Sequence, residues 1–118
     1  MEIKVLDLEV CFNSLVIPRP YGMHVFEQIV FKCPICATEV FFTESSFEKH
    51  SQSTFSNLDT FDKKSVDNYI AENKLAVKSF LDFYCQTCKV ATRIYYKDGY
   101  GGKHGEYLVD ITYAFQVV

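Results

Sequence analysis

The cysteine pattern constrains this chain more than any other feature of its sequence. Two Cys-x-x-Cys pairs, CPIC at 33–36 and CQTC at 85–88, are separated by 48 residues. A turn of this kind places two sulfurs on one side of a tight bend, and two such turns together supply the four tetrahedral ligands that zinc favours. We therefore predict a structural Zn²⁺ site. Its predicted ligands are Cys33, Cys36, Cys85 and Cys88.

Two other chemistries fit the same cysteine pairs. Iron binds the same set of four thiolates, and the spacing does not distinguish it from zinc. A redox-active Cys-x-x-Cys pair requires a helix N-terminus to lower the pKa of a thiol, and neither pair is followed by a helical pattern. The fifth cysteine, Cys11, lies in an apolar stretch and is predicted to be a buried core residue.

Strand-like segments surround both cysteine pairs. Alternating apolar side chains and β-branched or aromatic residues are typical of strands with one buried face. The two pairs are thus predicted to lie at the tips of two hairpins. The predicted strands cover residues 2–10, 25–32, 40–42, 75–83, 90–97 and 106–118.

Both pairs, with their flanking strands, resemble the zinc-ribbon and rubredoxin-like class of zinc-knuckle proteins. CPIC has the Cys-Pro-x-Cys form of a zinc knuckle, and CQTC is similar to its partner. The class commonly has Gly after the second Cys, where the backbone often needs a positive φ. Here Ala37 and Lys89 occupy those positions, so we expect an altered or strained turn. The resemblance implies metal binding and indicates no particular biological role.

These features predict one α+β domain covering residues 1–118. It is mainly antiparallel β, with a zinc ribbon formed by the two knuckle hairpins. A short helical insertion at about 43–76 separates the hairpins. Within it, a Ser-x-x-Glu capping box at Ser45 favours one helix start, and apolar residues at helical spacing favour a helix over 63–73. Residues 18–22 and 98–105, rich in Pro and Gly, are predicted loops.

The N-terminal sequence, the apolar pattern and the net charge of the chain indicate its cellular location and its partners. The first ten residues alternate apolar and charged side chains, unlike a signal peptide, so we predict a cytoplasmic protein. No stretch approaches the roughly 18 apolar residues of a membrane span, so we expect no membrane partner. The net charge is −3, and residues 1–62 hold nine acidic and four basic side chains. This balance argues against a general nucleic-acid binder.

One segment, 89–107, is basic and rich in tyrosine despite the acidic total. Aromatic side chains among cations can stack bases and hold phosphates. Tyr and Arg also anchor many protein interfaces. The predicted partner-binding residues are Arg93, Tyr95, Lys97, Tyr100, Lys103 and His104.

Two functions are compatible with these features. The first is a small protein–protein interaction module, for example an inhibitor or immunity protein whose acidic surface covers a basic partner such as a nuclease toxin. The alternative is a nucleic-acid-binding zinc ribbon that uses segment 89–107. We do not expect an enzyme, because four Cys ligands close a zinc site and leave no open position for substrate.

Overall fold

The computed structural model describes residues 2–19, 29–51, 55–101 and 106–118. Within these ranges, the chain forms seven strands and three helices. The elements are β1 (Ile3–Val5), α1 (Leu8–Cys11), β2 (Val16–Arg19), β3 (Ile29–Lys32), β4 (Glu39–Phe42), α2 (Glu44–Ser51), α3 (Thr60–Glu72), β5 (Ser79–Tyr84), β6 (Ala91–Gly101) and β7 (Glu106–Val117).

One antiparallel sheet, here called the main sheet, contains β1, β2, β5, β6 and β7. Its centre is the long pairing of β6 with β7, which runs from Ala91 opposite Val117 to Gly101 opposite Glu106. β5 pairs with the other edge of β6. β1 and β2 pair with the other edge of β7. The predicted α+β fold with mainly antiparallel strands is confirmed.

A second sheet, here called the small sheet, is the antiparallel pair of β3 and β4. Its register runs from Ile29 opposite Phe42 to Lys32 opposite Glu39. The first cysteine pair lies in the turn between these strands, and the second lies in the turn between β5 and β6. Both predicted hairpins around the cysteines are therefore present.

Both faces of the main sheet are covered. On one face, Ile94 belongs to a core cluster that includes Phe31 of the small sheet and Phe47 of α2. On the other face, Phe115 belongs to a cluster that includes Val66 of α3. Because the main sheet is covered on both faces, successive residues along its strands are buried whichever face they point to.

The predicted strand over 2–10 is wrong beyond Val5, because the chain turns into α1. Asp7 is the N-cap of this short helix, and its side chain accepts a hydrogen bond from the backbone N–H of Glu9 at 3.1 Å. A capping aspartate satisfies an N–H group that a helix start leaves unpaired. The alternation of apolar residues in this stretch indicated a strand, and the capping side chain favoured a helical turn instead.

Several predicted boundaries also differ from the structure. β2 continues through Pro18, which was expected to begin a loop. Proline is tolerated there because β2 pairs only with β7 among the described strands and so lies at an edge. β6 extends to Gly101, into the predicted loop at 98–105, of which 102–105 lie outside the described residues.

The predicted insertion contains α2 and α3, and the described residues between them, 55–59, form neither helix nor strand. α3 begins earlier than predicted, at Thr60, because Asp59 caps it by accepting from the backbone N–H of Asp62 at 2.8 Å. β5 begins at Ser79, four residues later than the strand predicted over 75–83. None of the helices in the described parts of the chain is long and apolar enough to cross a membrane.

Candidate metal centre

The two cysteine pairs lie in turns with the same hydrogen-bond pattern, here called the first Cys turn (33–38) and the second Cys turn (85–90). In the first, the backbone N–H of Cys33 donates to the carbonyl of Thr38 at 2.9 Å, and that of Ala37 donates to the carbonyl of Cys33 at 2.8 Å. In the second, Cys85 donates to Val90 at 2.9 Å and Lys89 donates to Cys85 at 2.9 Å. The chain thus builds the same bend twice.

The residue after each second cysteine has a positive φ, which is 63° at Ala37 and 64° at Lys89. This left-handed conformation is costly for residues other than glycine because of the Cβ atom. It is the conformation expected at these positions in zinc knuckles. Ala37 and Lys89 therefore adopt this conformation without being glycine, and both turns carry its conformational cost.

The two turns bring all four predicted ligands together. The sulfurs of Cys33, Cys36, Cys85 and Cys88 all lie within 4.8 Å of one another. The Cys33 and Cys88 sulfurs are 3.8 Å apart, and the Cys36 and Cys85 sulfurs are 3.5 Å apart. This cluster could hold one metal ion.

The donor set fits a zinc ion. Tetrahedral coordination with Zn–S bonds of about 2.3 Å separates neighbouring sulfurs by about 3.8 Å. Two of the separations in the cluster, 3.5 and 3.8 Å, are close to that value. Cys33 and Cys85 are each 2% exposed, so the centre is shielded on the side of the core. Four sulfur ligands fit iron as well as zinc.

Contacts with Thr38 favour ionisation of a thiol at one edge of the cluster. The thiol of Cys36 donates to the hydroxyl of Thr38 at 3.1 Å. The contacts of this sulfur with the side chain and the backbone N–H of Thr38 lower the pKa of Cys36 to about 6. The hydroxyl of Thr38 in turn donates to that of Thr87 at 2.7 Å, which joins the two Cys turns.

Burial acts in the opposite direction on the neighbouring thiols. Desolvation raises the pKa of Cys88 to about 12. At Cys85, desolvation also opposes ionisation, but the backbone N–H groups of Cys88 and Thr87 lower the pKa overall. The cluster therefore ionises unevenly as free thiols. A bound cation would favour the thiolate form of all four.

The elements that follow the cysteines argue against a redox-active pair. The first Cys turn leads into β4 and the second into β6. Neither pair stands at the start of a helix, which is the setting that lowers a thiol pKa in redox-active motifs. Cys11, by contrast, is outside the cluster and 3% exposed in the core, as predicted, and burial raises the pKa of its thiol.

The predicted partner-binding residues do not form one surface. Arg93 is 1% exposed and Tyr95 is 3% exposed, so the expectation that they face a partner is corrected. The reason is that β6 is covered on both faces. Lys97 is exposed, and Tyr100 lies in β6. Lys103 and His104 lie outside the described residues.

Arg93 belongs to a buried polar cluster that sequence reasoning missed. Its guanidinium forms ion pairs with Asp82 at 3.0 Å and with Asp67 at 2.8 Å. Asp82 also accepts hydrogen bonds from the Ser56 hydroxyl and the Asn57 backbone N–H, both at 2.6 Å. An acidic residue inside the apolar run 79–84 was the signal in the sequence, because the hairpin register places Asp82 opposite Arg93.

Comparisons of the chain with protein-family models, with curated proteins and with solved structures find no match. No relative therefore assigns a ligand or an activity to the cysteine cluster. The interpretation of the centre depends on its own geometry: four thiols, two matching turns and separations close to those of a tetrahedral site.

Proposed function

We propose that the four cysteines bind one structural zinc ion and that the Cys turns form a zinc ribbon. The observation that carries this proposal is that two turns with the same hydrogen-bond pattern bring four sulfurs within 4.8 Å of one another. Four thiolates complete the tetrahedron of zinc and leave no open position for a substrate. The centre is therefore structural, and the protein is not an enzyme at this site.

The ligands of this centre come from both sheets. Cys33 follows β3 of the small sheet, and Cys85 follows β5 of the main sheet. When bound, zinc would supply a cross-link between the two hairpins. The Thr38–Thr87 hydrogen bond and the packing of Phe31 against Phe83, with ring centroids 6.0 Å apart, join the same two sheets without metal.

Because the metal has a structural role in this proposal, the biological function depends on the binding properties of the protein surface. We infer a cytoplasmic protein–protein interaction module, of the inhibitor or immunity type, that covers a basic partner such as a nuclease toxin. The support is the acidic N-terminal half together with the exposure of Glu2, Glu9 and Glu39. Acidic surface groups accelerate encounter with a basic partner and favour it over others.

Nucleic-acid binding is the weaker alternative. It depended on the basic, tyrosine-rich segment 89–107, but Arg93 and Tyr95 point into the core and the charge of Arg93 is paired there. Among the described cations of that segment, Lys89 and Lys97 remain exposed. Lys89 also donates to the backbone carbonyl of Gln86 at 2.8 Å.

Native mass spectrometry of the protein purified from its own host tests both proposals. We expect one zinc ion per chain, retained unless a strong chelator is added, and a basic protein bound to it. Iron in the isolated protein would contradict zinc. Recovery of nucleic acid without a protein partner would contradict the interaction module.

A charge-reversal variant makes the partner test specific. Glu9→Lys combined with Glu39→Lys changes two exposed acidic residues, and we expect a slower association with the purified partner that depends on salt. Lys97→Glu is the matched control, because it adds negative charge at an exposed position. A partner that binds the double variant as fast as the wild type would contradict recognition through the acidic surface.

A further inference from the structure

A glutamine lies in the core directly beneath the cysteine cluster. Gln116 is on β7, where its cross-strand partner is Thr92 on β6. Both side chains are fully buried, with 0% exposure. They belong to the face of the main sheet that also presents Ile94 and Ala114 to the core. An apolar residue would suit this position better than an amide, since buried amides are costly unless they are fully hydrogen-bonded.

The contacts of the Gln116 amide are uneven. Its Nε2 donates to the sulfur of Cys33 at 3.5 Å and to the hydroxyl of Thr92 at 3.3 Å. Its Oε1 is buried and has no hydrogen-bond partner among the described residues. Within the described part of the chain, the amide is therefore held through its N–H groups, which contact a sulfur and a hydroxyl, and not through its carbonyl.

The hydrogen bond from Gln116 is stronger when the Cys33 sulfur is a better acceptor. A neutral thiol accepts hydrogen bonds weakly. A metal-bound cysteine is a thiolate, and hydrogen bonds to charged acceptors are about twice as strong as those between neutral groups. A metal-bound sulfur at Cys33 would therefore strengthen the Nε2–H···S hydrogen bond observed at 3.5 Å.

We propose that Gln116 is a positioning residue of the metal centre, which holds the Cys33 sulfur in its ligating orientation through the Nε2–H···S hydrogen bond. The inference rests on the proposed metal site and assigns a role to a residue that is remote from all four ligands in sequence. Outer hydrogen-bond partners of this kind orient ligands and tune metal affinity. The last strand of the fold is thereby coupled to the centre.

Three forms of the protein test this role: the wild type, Gln116→Met and Gln116→Glu. Methionine keeps the unbranched shape and removes the donor, whereas glutamate introduces a carboxyl group whose ionised form is repelled by the thiolate and disfavoured by burial. We expect zinc affinity, measured by competition with a chromophoric chelator, to fall about 10–100-fold in Gln116→Met. We expect a larger fall in Gln116→Glu.

Spectroscopy of the cobalt-substituted protein separates a positioning role from simple packing. Losing an N–H donor leaves more electron density on the sulfur, so the sulfur-to-cobalt charge-transfer band of Gln116→Met should move to lower energy. Thr92→Val is the matched control: it removes the other partner of the amide without removing the N–H group at the sulfur, so its band should stay in place.

Two outcomes would overturn the inference. One is a Gln116→Met protein with the affinity and the band position of the wild type. The other is equal loss of affinity in the methionine and glutamate variants with no shift of the band, which is the result of disturbed packing. A wild-type protein that binds no metal would instead overturn the proposed centre itself, so the two failures are distinguishable.

Discussion

Arg93 carries a permanent charge and is 1% exposed. Its two carboxylate partners differ in their surroundings: the side chain of Asp82 is 0% exposed and that of Asp67 is 49% exposed. The guanidinium also lies over the ring of Phe80, at 4.1 Å from the ring centroid. Asp82 is therefore the partner that compensates the buried charge, and Asp67 lies at the solvent side of the cluster.

This difference predicts unequal costs for two similar substitutions. Asp82→Asn leaves Arg93 short of its buried counter-charge and should lower the free energy of unfolding by about 3 kcal/mol. Asp67→Asn, at a half-exposed position, is the matched control and should lower it by about 0–1 kcal/mol. Urea denaturation of the metal-loaded proteins measures both. Equal costs would contradict the assignment of Asp82 as the main partner.

The sequence misled at Arg93 and Tyr95 for a physical reason. A basic, aromatic stretch is typical of a surface when a strand has only one buried face. Here one face of β6 packs against the core cluster that contains Phe31, and the other packs against the cluster that contains Val66 of α3. Residues of β6 that point to either face are therefore buried, and a cation at such a position must be paired inside the protein.

At the scale of the turns, the conformational cost of the two residues with positive φ, Ala37 and Lys89, can be tested directly. Replacing Ala37 or Lys89 with glycine removes the Cβ atom that makes φ values of 63° and 64° costly. Part of this gain is offset by the greater freedom of glycine in the unfolded chain. We expect each variant to raise the free energy of unfolding by about 0.5–1 kcal/mol.

A glycine within a helix is the control for this prediction. Ala71→Gly lies in α3, and we expect it to lower the free energy of unfolding by about 1 kcal/mol. Urea denaturation in the presence of zinc compares the three variants. A loss of stability in Ala37→Gly and Lys89→Gly would show that the side chains contribute more at these positions than their conformation costs.

Elements next to the cysteines were predictable because their signals are local. Cys-x-x-Cys turns and flanking β-branched or aromatic residues specify hairpins within a few residues. α1 and the start of α3 were missed or misplaced because a single capping side chain, Asp7 or Asp59, decided where each helix begins. Such caps contribute about 1 kcal/mol each, which is enough to overrule a weak alternation.

At the scale of the whole molecule, the proposed zinc ion cross-links two sheets that differ in their number of strands and therefore in their stability. The small sheet has two strands, and a two-stranded hairpin is marginally stable by itself. Structural zinc sites contribute apparent binding energies of about 10–16 kcal/mol. Removing zinc with a strong chelator, or replacing Cys36 with serine, should therefore lower the melting temperature sharply.

Hydrogen exchange measures which strands lose stability when the metal is removed. After chelation, the backbone amides of β3 and β4 should lose more protection than those of β6 and β7, which pair along their whole length in the centre of the main sheet. Zinc added back should restore the protection. An unchanged melting temperature after verified metal removal would contradict a structural role for the metal.

Local sequence patterns specified the strand-rich character of the protein, the two Cys turns and the four candidate ligands, because each depends on residues that are close together along the chain. The folded structure was needed to show that the four sulfurs meet, that Asp82 pairs with Arg93 and that Gln116 lies under Cys33. These contacts join residues far apart in sequence, and sheet register and the covering of both faces of the main sheet bring them together. Local patterns specify which turns and strands form, whereas burial determines which side chains remain at the surface.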